Sequence, residues 1–254
     1  MKYALLGDFH GSEVKELEAA LSHENPDVLI CTGDFDQTRT IHQFMDMENR
    51  YKAAGKRVIR VPGNHDHAIL TDLGITSGTL TMQGKTSHEL HNELKKDMDA
   101  WLYIDKLVNS RGPRHTNNRV RIFLDEERFG KYYQTIVIHG AYAGDLSSYP
   151  GCPETIRDLW TRLRTQRDHQ ENFKVMNQKG YKVMIRGHDH EAVYVYQDPD
   201  KGINVCKPGT NSEYELLKNR EHTINPGALF DGSFAIIDTT VPWKTAPILK
   251  YLKL

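Results

Sequence analysis

Arg57-Val58-Ile59-Arg60-Val61-Pro62-Gly63-Asn64-His65-Asp66 is the stretch on which the reading of this chain turns. A short β-branched run stops at Pro-Gly, and an amide, an imidazole and a carboxylate follow at once. Val58, Ile59 and Val61 predict a buried parallel strand. Pro62-Gly63 turns the backbone, and Gly63 reaches φ values that are costly for other residues. Asn64, His65 and Asp66 then leave the carboxyl end of the strand, where open α/β sheets place their ligands. Taken alone the stretch is a turn rich in Asn and Asp; four other stretches change that reading.

Upstream, residues 3–6 and 28–31 are two more apolar runs, each followed by Gly-Asp, at Gly7-Asp8 and Gly33-Asp34. Between them Val14, Leu17 and Leu21 share one helical face, ended by Asn25-Pro26. Ile41, Phe44, Met45 and Tyr51 make a second face, with Gly55 at its C-cap. Residues 1–66 therefore read β-α-β-α-β, a parallel sheet with right-handed crossovers.

Downstream, residues 68–85 lose periodicity and read as loop. Residues 88–108 predict one amphipathic helix with Leu90, Leu94, Met98, Trp101, Leu102 and Ile104 as its apolar members. Residues 111–118 form a basic turn, and 119–123 and 134–138 read as strands. Residues 154–179 carry a long, charged helical pattern, one helix or two, ending at Gly180. After a buried strand at 183–185, segments 192–196, 203–206 and 234–237 make the second half rich in strands, joined by turn residues. No linker or repeat divides the chain. One domain spanning 1–254 is expected, with helical or loop insertions around 68–118 and 141–180.

The chain has 254 residues, 38% hydrophobic and 26% charged, enough for a substantial core. A net charge of -1 gives no general attraction for nucleic acid. Three cysteines, Cys31, Cys152 and Cys206, point to a reducing compartment without a disulfide framework. No apolar run approaches a membrane span, and Gly7-Asp8 interrupts the opening apolar run before it could form the core of a secretory leader. A cytoplasmic protein with no membrane partner is expected. Thirteen histidines are the unusual figure, and their placement carries the information.

Asp8 and His10 follow the first strand, Asp34 the second, Asn64 and His65 the third. His139 follows 134–138, and Gly187-His188-Asp189-His190 follows 183–185. Five strand ends each present oxygen or imidazole donors, most beside a glycine. In a parallel sheet such ends lie side by side. Asp, Asn and His without Cys suit Mn, Fe, Zn, Co or Ni. Asp8, His10, Asp34, Asn64, His139, His188 and His190 are too many for one ion and fit two, with one carboxylate shared. The i, i+2 spacing of Asp8/His10 and His188/His190 points both members the same way if the segment is extended.

Asp8-x-His10, Gly33-Asp34, Gly63-Asn64-His65-Asp66, His139-Gly140 and Gly187-His188-x-His190 together resemble the calcineurin-like metallophosphoesterase superfamily, in that family's order. The resemblance implies an α/β fold of two mixed β-sheets packed as a sandwich flanked by helices. It implies one metal on Asp8, His10, Asp34 and His190, and a second on Asp34, Asn64, His139 and His188. His65 would face the substrate, with Asp66 or Asp36 orienting it. In the protein-phosphatase branch that orienting aspartate stands three residues after the bridging one, and here the position is Gln37.

The function implied is hydrolysis of a phosphoester by a metal-bridging hydroxide, two divalent ions about 3.5–4 Å apart clamping the phosphate. Manganese is the first expectation among Mn, Fe, Zn, Ni, Co and Mg. The second histidine of Gly-His-x-His leans towards phosphodiesters. The alternatives are a phosphomonoesterase of the Ser/Thr protein phosphatase type, a non-catalytic scaffold, and a nuclease whose basic rim would be Arg111, Arg114, Arg119 and Arg121. The scaffold is disfavoured because this chain keeps every motif histidine.

Overall fold

The computed structural model describes residues 1–72, 81–82, 85–109, 115–116, 119–124, 133–147, 149, 151–241 and 246–254. Three apolar runs form the parallel strands Lys2–Leu6, Val28–Cys31 and Arg57–Arg60, paired in that order. Ser233–Asp238 pairs antiparallel on the other side of Lys2–Leu6, followed by Ile248–Lys253 and Glu213–Glu215, which completes a mixed sheet of six strands. A second mixed sheet, of seven, runs Gly202–Cys206, Ala192–Asp198, Glu221–Pro226, Val183–Ile185, Gln134–Ile138, Arg119–Phe123, His115–Thr116.

The two sheets pack face to face. Alternate side chains of each strand point to opposite faces. Tyr3 and Leu5 therefore meet Val137, Val183, Ile185 and Ile224 between the sheets. Ala4 and Leu6 face outwards, onto Val14, Leu17 and Leu21 of the helix Val14–Glu24 and Phe44 of the helix Thr38–Ala53. On the far side, Phe173 and Met176 of the helix Gln166–Gln178 cover Ile136, Ile138 and Met184. Each fully buried Leu, Ile or Phe in these layers stabilises the fold by about 1.5–3 kcal/mol. The architecture is the expected sandwich of two mixed sheets flanked by helices.

Several elements differ from expectation. Arg57–Arg60 is an edge strand and only half-buried. Its exposed flank is covered by Arg60, which pairs with Glu48 and lies over the Tyr103 ring. Residues 64–71 are helical (Asn64–Thr71), and Thr81–Met82 pairs with Lys85–Thr86, so the loop expected from 68 is partly regular; residues 73–80 and 83–84 lie outside the described set. The single helix expected over 88–108 is two, Ser87–Leu94 and Met98–Asn109. Asp97 ends the first arrangement and starts the second by accepting the Ala100 N–H at 3.1 Å. Met98 and Leu102 are 64% and 54% exposed and belong to no core. Residues 154–179 become Glu154–Ile156, Arg157–Trp160 and Gln166–Gln178, the last opened by a capping box of Thr165 and Asp168.

Candidate metal centre

The carboxyl ends of Lys2–Leu6, Val28–Cys31, Arg57–Arg60, Gln134–Ile138 and Val183–Ile185 meet at one edge of the sandwich. Bonds cross from sheet to sheet there: His139 Nδ1 donates to the Thr32 carbonyl at 2.6 Å, and the His188 N–H to Asp8 Oδ1 at 2.9 Å. The loops are folded back sharply. Asp8, His10, Asp34, Asp36, His188 and His190 all have positive φ, from 42° to 74°. Among the described residues they are six of the nine non-glycine positions that do. Each costs about 1–2 kcal/mol, least for Asp, Asn and His, and such strain gathers where a ligand constellation needs it. The i, i+2 pairs therefore converge through paired left-handed residues, not through the extended segment the spacing suggested. Two glycines make room. A Cβ on Gly63 would overlap the Asp34 carboxylate, and one on Gly187 would press Thr32 Oγ1 and the Asp8 carboxylate.

All seven residues singled out as donors are brought together. Ligand atoms of Asp8, His10, Asp34 and His190 lie within 4.8 Å of one another. His10 Nε2 and His190 Nε2 are 3.0 Å apart, both turned on one point. On the other side His139 Nε2 is 2.8 Å from Asn64 Oδ1, and the His188 ring stands 5.1 Å from that of His139. Asp34 joins the two groups through one atom. Its Oδ2 is 3.2 Å from His139 Nε2 and 3.6 Å from His10 Nε2, buried and without a well-aligned hydrogen-bond partner. Its Oδ1 is occupied by the His65 N–H at 2.9 Å, which aims Oδ2 between the histidines.

The imidazoles are oriented from behind. His139 spends Nδ1 on Thr32 and keeps Nε2 inward; His188 spends Nε2 on the Trp160 carbonyl at 3.1 Å and keeps Nδ1; His10 spends Nδ1 on Asp36. This pattern, one nitrogen anchored and the other presented, is that of metal-ligating histidines. The charge balance agrees. Burial pulls the His10 imidazole down, but Asp36, Asp34 and Asp8 outweigh it and lift its pKa to about 10. His139 rises to about 9 against burial, chiefly through Asp34. Burial raises Asp8 to about 6, while His139 and His65 hold Asp34 well below the carboxylate range despite burial. The buried carboxylates thus attract positive charge at two points, one on each side of Asp34 Oδ2. Oxygen and imidazole donors around two such points fit a dinuclear divalent site.

His65 opens the helix Asn64–Thr71, its ring centroid 4.7 Å from that of His10. The carboxylate beside it is Asp36: Oδ1 lies 3.2 Å from His65 Nδ1, while Oδ2 takes His10 Nδ1. Asp66 points elsewhere. Its Oδ2 accepts the N–H groups of Asp34 and Gly63, both at 2.8 Å, and its Oδ1 that of Phe35 at 2.9 Å. It ties two strand-end loops together and does not reach the His65 ring by any described hydrogen bond. Of the basic rim, Arg119 pairs with Asp158 and lies over Tyr142, and Arg121 bonds Gln134; Arg111 and Arg114 lie outside the described residues. The carbonyls of Thr32 and Trp160 left no mark in the sequence, because any residue supplies one.

Fold and donor set together define a sandwich with a dinuclear-type centre at one edge. The chain belongs to the calcineurin-like phosphoesterase family, whose model matches residues 1–192. The structure is similar to the crystal structure of a metallophosphoesterase from Sphaerobacter thermophilus, with a TM-score of 0.63 and 18% identity, covering 100% of this chain and 88% of that one. It is also similar to a hypothetical protein from Pyrococcus horikoshii, with a TM-score of 0.54 and 10% identity, covering 100% of this chain and 87% of that one. At these identities the likeness is one of fold. No curated protein sequence matches significantly. Among the described residues no helix is long and apolar enough to cross a membrane.

Proposed function

We propose that this chain hydrolyses phosphoesters, diesters in preference to monoesters, with two divalent ions, manganese first. Asp8, His10, Asp34 and His190 would hold one ion; Asp34, Asn64, His139 and His188 the other. The observation that carries this is Asp34 Oδ2, buried, unsatisfied and centred between His10 Nε2 and His139 Nε2. When bound, such a pair lowers the pKa of water and neutralises phosphoryl charge. The rest falls to the chain's own groups. His65, which stands outside the two ligand sets proposed above, faces the same space and carries the proton for the departing alkoxide. Burial lowers its pKa, but Asp36 and Asp34 outweigh that and raise it, which favours the protonated ring. Asp36 orients both His65 and His10. The lean to diesters rests on His190, the second histidine of Gly-His-x-His.

Aryl phosphate mono- and diesters assayed with Mn, Ni, Co, Fe, Zn and Mg test this reading. Turnover of diesters that vanishes with chelator and returns with metal is expected. His65→Ala is expected to keep its metal, by calorimetric titration with Mn, and to lose about 10²–10⁴-fold in turnover. Hydrolysis of monoesters alone overturns the diester preference, and full activity in His65→Ala removes His65 from the reaction.

A further inference from the structure

Phe230 is a large apolar residue left 44% exposed at the rim of the metal centre. Its ring meets that of His10 at 5.5 Å and that of His190 at 5.3 Å between centroids, near edge-on to both. It does not hang there by looseness. It sits on the single turn Leu229–Asp231, and that turn is bolted to the ligand-bearing loops. The Ala228 N–H donates to the His190 carbonyl at 3.0 Å, and the Leu229 N–H to that of Gly7, one residue before Asp8, at 2.9 Å. Leu229 is buried as the anchor, and Gly232, at φ 76°, closes the turn. Leu229 is thus buried and Phe230 exposed, its ring in T-shaped contact with the two imidazoles and 44% of the residue left to solvent. A ring fixed in place and half bare, beside the point where phosphorus would be held, is a surface for stacking.

We propose that Phe230 is a specificity-determining residue: it receives an aryl or other flat apolar group of the phosphoester, on the His10–His190 side of the centre. This rests on the phosphoesterase reading and narrows its substrate class to esters of aromatic or comparably planar alcohols. His65 and His190 both flank the His10 ring, with centroids 4.7 Å and 4.8 Å from that of His10.

The test uses the Mn-loaded full chain and two non-hydrolysable probes, phenylphosphonate and methylphosphonate, with binding read by calorimetry. The wild type should bind phenylphosphonate about 3- to 10-fold more tightly than methylphosphonate, the range expected of one aromatic pair. Phe230→Ala should erase that preference while its affinities for methylphosphonate and Mn stay within about twofold, and Phe230→Tyr should keep it. If Phe230→Ala does not fold, Phe230→Leu, which keeps apolar bulk without a ring, should lose the preference. The proposal is overturned if the preference survives both substitutions, if the wild type shows none, or if Mn affinity and both phosphonates fall together, which marks mere packing of the ligands. A wild type that binds both probes yet hydrolyses no ester overturns the hydrolase reading and leaves the Phe230 readout standing.

Discussion

At the scale of single residues, Asp36 and Asp66, each just past a strand of the first sheet, show how one buried carboxylate differs from another. Asp36 serves two imidazoles at once, His10 through Oδ2 and His65 through Oδ1. Asp66 serves only backbone, the N–H groups of Asp34, Phe35 and Gly63. Their amide variants should therefore fail differently. Asp36→Asn should lower Mn affinity about 10–100-fold, as loss of an outer partner of a metal-ligating histidine does, and reduce turnover with it. Its urea midpoint should barely move. Asp66→Asn turns an NH₂ group onto backbone donors and should cost about 1–3 kcal/mol of stability. Calorimetry and urea unfolding on both variants read this out; a destabilised Asp36→Asn with normal metal affinity would reverse the assignment. The donors themselves were legible because each follows an apolar strand and most abut glycine. Which of Asp36 and Asp66 faces His65 was not, since both follow the ends of neighbouring strands and only the left-handed turn at Asp36 aims the carboxylate.

At the scale of elements, the third strand is held at its open edge by one charged cluster. Glu48, buried on the helix Thr38–Ala53, pairs with Arg60 and Lys52 and accepts the Tyr103 hydroxyl at 2.9 Å. It thereby joins that helix to the strand Arg57–Arg60 and to the helix Met98–Asn109. Glu48→Ala would leave the Arg60 guanidinium and the Tyr103 hydroxyl without their acceptor. Breaking a fully buried pair costs about 3–5 kcal/mol. Arg60 keeps 19% of its side chain in solvent, so roughly 2–3 kcal/mol is expected after screening. Chemical denaturation measures it, and a loss under about 0.5 kcal/mol would mean the edge is held by apolar packing instead. The helices Val14–Glu24 and Thr38–Ala53 could be read from spacing because tertiary contacts bury the faces their periodicity marks. The break at residues 95–97 could not, because the apolar period runs straight across it and only the side chain of Asp97 marks a new start. Thr165 and Asp168 did spell a capping box, but the charged pattern on either side hid it. The extended stretch before it carries Arg162, bridged to Asp145, and follows Trp160, whose carbonyl holds His188.

At the scale of the whole molecule, the segment from Glu221 onward supplies interior strands to both sheets. Ser233–Asp238 lies beside Lys2–Leu6, and Glu221–Pro226 lies between Ala192–Asp198 and Val183–Ile185. The parallel β-α-β-α-β start was legible because crossovers leave a local pattern; these long-range insertions leave none. One consequence is a buried histidine on Glu221–Pro226. His222 is fully buried, accepts the Tyr194 hydroxyl on Nδ1 at 2.9 Å and donates Nε2–H to the Leu217 carbonyl at 3.0 Å, a neutral tautomer with both nitrogens used. Burial pushes its pKa down to about 4 against the upward pull of the Leu217 carbonyl, with smaller help from Arg220 and Lys182. The unfolded chain, with a histidine near 6.5, binds the proton that the folded chain refuses. This contribution to stability is therefore complete above about pH 6.5 and is lost as pH falls towards 4. Linkage gives a loss of roughly 1.4 kcal/mol at pH 5.5 relative to pH 8 from this residue. His222→Gln, which can still donate and accept, should be less stable at pH 8 but should lose about that much less on acidification. Urea unfolding of chelator-treated wild type and variant at the two pH values cancels the shared titration of the metal-binding histidines. Equal losses in the two proteins would show that His222 titrates normally in the fold, and that the space between the two sheets around Tyr194 is open to protons.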